Sequence, residues 1–183
     1  MKFVEKAAIM NSHDMNRAIK RMAHEIIEAN KGVSNLVLLG VQRRGVPLAK
    51  MLQDSILQVE GTEVPQGAID ITFYRDDLST LGPTPQVAST EMPFDVTDKI
   101  VILVDDVLYT GRTVRAALDV IMDWGRPKAI RLAVLVDRGH RELPIRPDFV
   151  GKNVPTSGRE IIKVRVADFD DTQEVVVGEV HES

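Results

Sequence analysis

Apolar positions along the chain recur with two alternating periods. Met15, Ile19, Met22, Ala23, Ile26 and Ile27 fall at helical spacing, which predicts an amphipathic helix opened by Asn11 or Ser12 and closed by Gly32. Asn35–Leu39 reads as a short buried strand, and Pro47 suits the first turn of a second helix reaching about Gln58. Ala68–Tyr74 alternates as a strand. Ile100–Val104 reads as a buried strand, Thr113–Trp124 as a helix closed by Gly125, and Ala129–Val136 as another strand. Three strand-then-helix alternations predict an α/β domain with a mostly parallel central sheet, flanking helices and right-handed crossovers. Residues 76–98 carry Gly82, Pro83, Pro85 and Pro93 with little periodicity, which predicts a long flexible lid. Beyond Val136 the pattern changes. Residues 137–160 are rich in Gly, Pro and charge; Ile162, Val164 and Val166 then alternate, and Val175–Val177 suggests a last strand.

Length and composition narrow this picture. A chain of 183 residues with 44% hydrophobic and 27% charged residues is an ordinary globular domain, expected as one unit over residues 1–183. The longest apolar runs are far too short to cross a bilayer, and no secretory leader is visible, so a cytoplasmic protein without a membrane partner is expected. With no cysteine there is neither disulfide nor thiolate chemistry. The net charge of −4 is unevenly spread: residues 168–183 hold six of the 27 acids and no Lys or Arg. The rest of the chain is slightly basic, so a polyanionic partner is not excluded.

Candidate chemistry concentrates in Ile100–Thr113, IVILVDDVLYTGRT. Five apolar residues deliver Asp105 and Asp106 to the carboxyl end of a buried strand, where open α/β sheets bind ligands. Thr110, Gly111, Arg112 and Thr113 then open a helix, whose unpaired N–H groups and positive end suit a phosphate. Paired acids beside an anion cradle suit a ligand with both hydroxyls and phosphate, such as a phosphorylated sugar. There is no Walker A sequence and no G-x-G-x-x-G, which argues against a P-loop nucleotidase and a dinucleotide fold.

VILVDDVLYTGRT resembles the phosphoribosyl diphosphate (PRPP) motif of type I phosphoribosyltransferases. Tyr74–Leu78 (YRDDL), Val136–Arg146 (VDRGHRELPIR) and Gly151–Ser157 (GKNVPTS) extend the resemblance. They are similar to the members that join uracil phosphoribosyltransferase activity to control of pyrimidine operons. The resemblance spans roughly residues 10–167. It implies the type I phosphoribosyltransferase fold, with a mostly parallel central sheet, flanking helices, a lid over about 76–98 and a small C-terminal hood over about 137–167.

The resemblance also implies roles. Asp105 and Asp106 would hold the ribose hydroxyls, and Val107, Leu108, Tyr109, Thr110, Gly111, Arg112 and Thr113 would complete PRPP binding through its 5′-phosphate. Gly40–Gly45 would cradle diphosphate with Arg43 and Arg44, Arg43 standing where relatives usually have Thr. Arg44, Asp105 and Asp106 are the expected catalytic residues. No metal ligand set of the chain's own is expected; Mg²⁺ would be bound mainly through PRPP or diphosphate. Tyr109, in place of the acid many purine enzymes carry, favours a pyrimidine, and Arg138 and Ile162 are expected to line the base pocket. The reaction expected is uracil plus PRPP giving UMP and diphosphate. Residues 76–98 contain no Lys or Arg, a departure that lowers the expected rate.

Arg17, Lys20, Arg21 and His24 share one face of the first helix. By spacing alone this face is simply solvated. By resemblance, Lys20, Arg21, His24, His140, Arg141, Arg146 and Lys152 are expected to contact an mRNA hairpin of pyrimidine genes, with UMP favouring the RNA-binding form. A homodimer, or a tetramer of two dimers, is expected on the same ground. Regulation at transcription termination or at translation is left open. Two alternatives stay in play: an RNA-binding nucleotide sensor with little turnover, and a plain phosphoribosyltransferase, purine-directed or not, without an RNA role.

Overall fold

The computed structural model describes residues 1–77 and 89–182. Its frame is a five-stranded, wholly parallel sheet built from β2 (Leu36–Val41), β3 (Gln66–Ile69), β4 (Ile100–Leu108), β5 (Ala129–Asp137) and β6 (Phe149–Asn153). The spatial order is β3-β2-β4-β5-β6. Strand β1 (Lys2–Met10) joins β7 (Glu160–Arg165) and β8 (Glu174–His181) in a separate antiparallel sheet ordered β1-β8-β7.

The central strands read as near-continuous apolar runs because both faces of the sheet are covered, and neighbouring residues serve opposite faces. Leu36, Leu38, Ile102 and Val104 pack with Met15, Ile19 and Met22 of α1 (Ser12–Asn30) and with Leu48 and Leu52 of α2 (Gly45–Glu60). Val37, Leu39, Val101 and Leu103 pack instead with Val114, Ala117 and Ile121 of α3 (Arg112–Trp124). Ile162, Val164, Val175 and Val177 join the α1–α2 side, which seats the small sheet over the same end of the domain.

Asn11 begins α1 by accepting from the Asp14 N–H at 2.8 Å while the Asp14 carboxylate accepts from the Asn11 N–H at 3.0 Å. Lys31 and Gly32, both at positive φ, end it.

Three elements depart from the sequence expectations. The strand expected over Ala68–Tyr74 stops at Ile69. The Asp70 carboxylate accepts from both the backbone N–H and the hydroxyl of Thr72, turning the chain into a short 3₁₀ turn at Thr72–Tyr74. The expected lid over 76–98 falls in part on residues outside those described. Ala68 and Glu91 exchange backbone hydrogen bonds at 2.7 Å, and Val96 is fully buried, so 90–98 is fastened to the sheet edge; 78–88 lie outside the described residues. The hood expected over 137–167 divides. β6 completes the main sheet, while β7 finds its sheet partners at the two chain ends. β1 was not anticipated, since most of it is exposed and its sequence mixes charged with small residues.

Candidate functional site

The carboxyl ends of β2 and β4 lie side by side, and each leads through a tight loop into a helix. β4 carries Asp105 and Asp106 inside its last turn of pairing with β5. Strand alternation sends the two side chains opposite ways. Asp105 is buried and Asp106 half-buried. The Asp106 N–H donates to Asp105 Oδ1 at 2.8 Å, and the Val107 N–H to Asp106 Oδ1 at 2.7 Å. Burial, reinforced by the neighbouring Asp106 charge, pushes the Asp105 carboxyl well above the usual carboxylate range.

Gly111 takes φ +94, a conformation that L side chains rarely adopt, and so turns the chain from β4 into α3. Among the described residues neither the Thr110 nor the Gly111 N–H has a partner. Unpartnered N–H groups at the start of a helix suit an anion; the Thr110 hydroxyl oxygen accepts from the Arg112 N–H at 3.3 Å. The Arg112 side chain bridges two carboxylates, donating from Nε to Glu142 at 3.0 Å and from Nη1 to Asp76 at 2.6 Å. Thr110, Arg112 and Thr113 line a cavity of about 240 Å³ with Arg75, Asp76 and Asp77.

The loop after β2 is drawn close against β4. A Cβ on Gly45 would stand 2.5 Å from the Val104 carbonyl oxygen, so only glycine fits there. The Gln42–Arg43 peptide is cis. Arg43 is exposed, its guanidinium 5.9 Å from the Phe169 ring centre. Arg44 forms a two-point pair with Asp170, at 3.0 and 3.3 Å. Burial alone would raise the Asp170 carboxyl, but the Arg44 hydrogen bond and the Val166 N–H hold it below its ordinary value.

Arg44, Asp106 and Ile162 meet in one cavity of about 350 Å³, together with Lys163, Arg165 and Asp170. Arg138 is placed elsewhere. Its guanidinium is buried, donates to the Thr156 hydroxyl at 3.0 Å and to the Glu160 carbonyl at 2.6 Å, and lies 4.0 Å over the Tyr109 ring. It lines a separate cavity of about 290 Å³ with His140 and Asn153. The two expected base-pocket residues therefore border different spaces. Asp170, Asp76 and Glu142 were missed by sequence reasoning. Asp170 sits in an acidic stretch that reads as solvated, and nothing in its spacing announces Arg44, 126 residues away.

The expected RNA residues gather on one side. Arg17, Lys20, Arg21 and His24 are all exposed on α1, which packs beside the edge strand β6. Arg21 donates to the Val150 carbonyl at 3.1 Å and to the Gly151 carbonyl at 2.5 Å, next to Lys152. Arg146 and Val150 line a cavity of about 760 Å³ nearby. Arg141 differs from the others. Its guanidinium is bound to Tyr109 O, Ile145 O and Asp137 at 2.6–2.9 Å.

A parallel sheet in which neighbouring strands each lead through a tight glycine-bearing loop into a helix, with two acids at the end of β4, is an arrangement that suits a sugar phosphate. The phosphoribosyl transferase domain family matches residues 6–174, and the chain belongs to that family. Within it, the chain is similar over nearly its whole length to proteins named Bifunctional protein PyrR. It is 62% identical over 178 residues to that of Pelotomaculum thermopropionicum, covering 97% of this chain and 98% of the relative. It is 59% identical over 174 residues to that of Thermus thermophilus, covering 95% and 96%. Among solved structures, the hypoxanthine phosphoribosyltransferase of Trypanosoma cruzi in a ternary substrate complex superposes with a TM-score of 0.75 at 21% identity. It covers 96% of each chain and shares the type I phosphoribosyltransferase fold.

Proposed function

We propose that this protein is a uracil phosphoribosyltransferase that also regulates pyrimidine genes through UMP-dependent binding to their mRNA. The observation that carries the enzymatic half is the meeting of Arg44, Asp106 and Ile162 in one cavity. The near-full-length similarity to bifunctional PyrR proteins supports both halves.

In this reading the 5′-phosphate sits on the Thr110 and Gly111 N–H groups and the start of α3. Asp106, facing the cavity, accepts from the ribose hydroxyls. Asp105 sets its neighbour's position through the bond from the Asp106 N–H. Arg44 leaves Asp170 to hold the diphosphate as negative charge gathers on it. Uracil N1 bonds to ribose C1 as the C1–O bond to diphosphate breaks, and the N1 proton is lost, giving UMP. The residues accelerate this by orientation and charge stabilisation, without a side-chain nucleophile. Among the described residues no group of three or more His, Asp or Glu is arranged to hold a metal ion. Asp106 and Asp170 supply oxygens at the cavity wall, which fits an Mg²⁺ ion carried in mostly by diphosphate and water. When bound, that ion supplies charge neutralisation of the leaving group.

For the RNA half, the reading takes Lys20, Arg21 and His24 of α1, Lys152 of the neighbouring edge strand β6, and Arg146 and His140 as one RNA-contacting surface, supported by their exposure and by the packing of α1 beside β6. Hairpin loops with splayed bases suit it better than a uniform duplex. A homodimer would enlarge that surface. No helix among the described residues is long and apolar enough to cross a membrane, and the reading places the protein in the cytoplasm, where PRPP and mRNA meet.

Labelled uracil with PRPP and Mg²⁺ tests the enzymatic half, with hypoxanthine and orotate as controls. UMP formation is expected, and turnover on hypoxanthine instead would overturn the pyrimidine assignment. A second reading, a nucleotide sensor with little turnover, is favoured by the absence of Lys and Arg from 76–98 and by the pairing of Arg44 with Asp170. It predicts UMP binding without UMP synthesis.

A further inference from the structure

The peptide planes of the proposed 5′-phosphate cradle are hydrogen-bonded on their carbonyl edge by the segment that lies between His140 and Arg146. The peptide joining Tyr109 to Thr110 carries the Tyr109 carbonyl on one edge and the Thr110 N–H on the other; the next carries the Thr110 carbonyl and the Gly111 N–H. Peptide units are rigid, so turning one edge turns the other. Both carbonyls are occupied by the segment that follows β5. Arg141 Nη1 donates to Tyr109 O at 2.9 Å, and the N–H groups of Glu142 and Leu143 both donate to Thr110 O, at 2.9 and 3.1 Å. Among the described residues the N–H edges have no partner and can face an anion.

The same segment grips the loop by side chains. Glu142 takes Arg112 Nε, and Leu143 and Ile145 lie over Gly111, where a Cβ would be in ordinary van der Waals contact with both. Arg141 ties the segment to itself, donating to Ile145 O at 2.8 Å, and to the end of β5 through Asp137 at 2.6 Å. The segment is bracketed by His140 and Arg146, both exposed.

We propose that residues 141–145 are the coupling element through which phosphate on the Thr110–Gly111 N–H groups fixes the basic surface around His140 and Arg146. This rests on the UMP-dependent RNA binding proposed above and supplies its physical route. An anion on the N–H edges fixes the two peptide planes with their carbonyls directed at Arg141, Glu142 and Leu143, and it polarises those hydrogen bonds in the strengthening sense. The segment is then held in one arrangement, and RNA meets a preorganised surface. By linkage, RNA tightens UMP binding by the same factor. In this scheme Arg141 acts as a positioning residue whose cation is spent inside the protein, with His140 and Arg146 left to face the nucleic acid.

Two measurements on the full-length protein test this. First, amide exchange of Glu142, Leu143 and Ile145 is followed by NMR with and without UMP, no RNA being present; UMP is expected to slow all three about fivefold or more. Unchanged exchange overturns the coupling element whatever RNA does. Second, RNA affinity is measured with and without UMP for the unaltered protein and for Glu142→Gln combined with Ile145→Ala. The unaltered protein is expected to bind RNA about fivefold or more tightly with UMP, within the usual range of allosteric coupling. The double variant should keep its UMP affinity within about threefold and lose most of that ratio. A variant that keeps the full ratio overturns the proposal. Slowed amides with RNA binding indifferent to UMP in the unaltered protein overturn the regulatory reading instead, which separates the two failures.

Discussion

The two loops proposed to hold phosphate and diphosphate, after β4 and β2, are built on different principles. The loop after β4 works through backbone: N–H groups without a partner among the described residues, a glycine at φ +94 and a helix start. The loop after β2 works through side chains. Its helix begins at Gly45 with no side-chain cap, and its charge comes from Arg43 and Arg44. The difference decides what each loop depends on. Backbone groups are aimed by local conformation, and that conformation follows from residue type at each position. A guanidinium on a flexible stem is aimed by whatever partner it meets, and Arg44 meets Asp170 from beyond β7.

The largest expected effect separates the loops by ligand. Arg44→Ala should lower kcat/KM for PRPP by about 10- to 100-fold, the usual cost of losing a hydrogen bond to a charged group. UMP, which carries no diphosphate, should bind as before; isothermal titration checks this. Equal losses for both ligands would place Arg44 at the 5′-phosphate and erase the contrast. Gly111→Ala is expected to act on both ligands. Forcing an L residue to φ +94 costs about 1–2 kcal/mol, or roughly 5- to 30-fold if the loop relaxes away from its binding form. Steady-state kinetics and UMP titration should show parallel losses.

A third prediction concerns the acids between the loops. Burial, with the Asp106 charge, raises the Asp105 carboxyl above its unfolded value. The folded protein therefore holds that proton more tightly than the unfolded chain. This stabilisation is complete below the ordinary carboxylate range and is lost as pH rises through the folded value. Asp105→Asn, which cannot ionise, should raise Tm at neutral pH, and the gain should shrink as pH falls through the raised folded value and be gone below the ordinary carboxylate range. Thermal melts across pH decide it; a gain that grows toward acid would reverse the assignment.

Asp170→Asn should have a smaller effect, lowering KM for PRPP by about two- to fivefold. The Arg44 pair is partly exposed and its release is worth only about 0.5–1 kcal/mol. An increased KM would show that Asp170 aims Arg44 rather than competing for it. The smallest effect belongs to the basic surface. Lys20→Ala should reduce the salt dependence of RNA binding by about one unit of log–log slope and leave Tm unchanged. Arg21→Ala is expected to lower Tm as well, because Arg21 ties α1 to the Val150 and Gly151 carbonyls; equal stability of the two variants would deny that anchor.

The same contrast explains what was legible beforehand. IVILVDDVLYTGRT announced its strand, its acids and its helix start because each property is set within a few residues. The central parallel sheet was readable because burial on both faces leaves continuous apolar runs at β2, β4 and β5. The strand expected to Tyr74 failed at a local signal that was overlooked, an Asp with Thr two positions on. The allocation of β6 to the main sheet, and of β1 and β8 to β7, had no local signal at all, since pairing partners are chosen by long-range packing.

The sequence by itself determined the family, the parallel α/β frame and the strand–glycine–helix loop proposed to cradle a phosphate, because apolar period, glycine position and adjacent acids act over short distances. Only the tertiary structure decided which charges answer one another. It set Asp170 on Arg44, Glu142 and Asp76 on Arg112, and Arg141 on the carbonyls behind the phosphate loop. An ionic or hydrogen-bonded partner is found in space, and its separation along the chain carries no information about it.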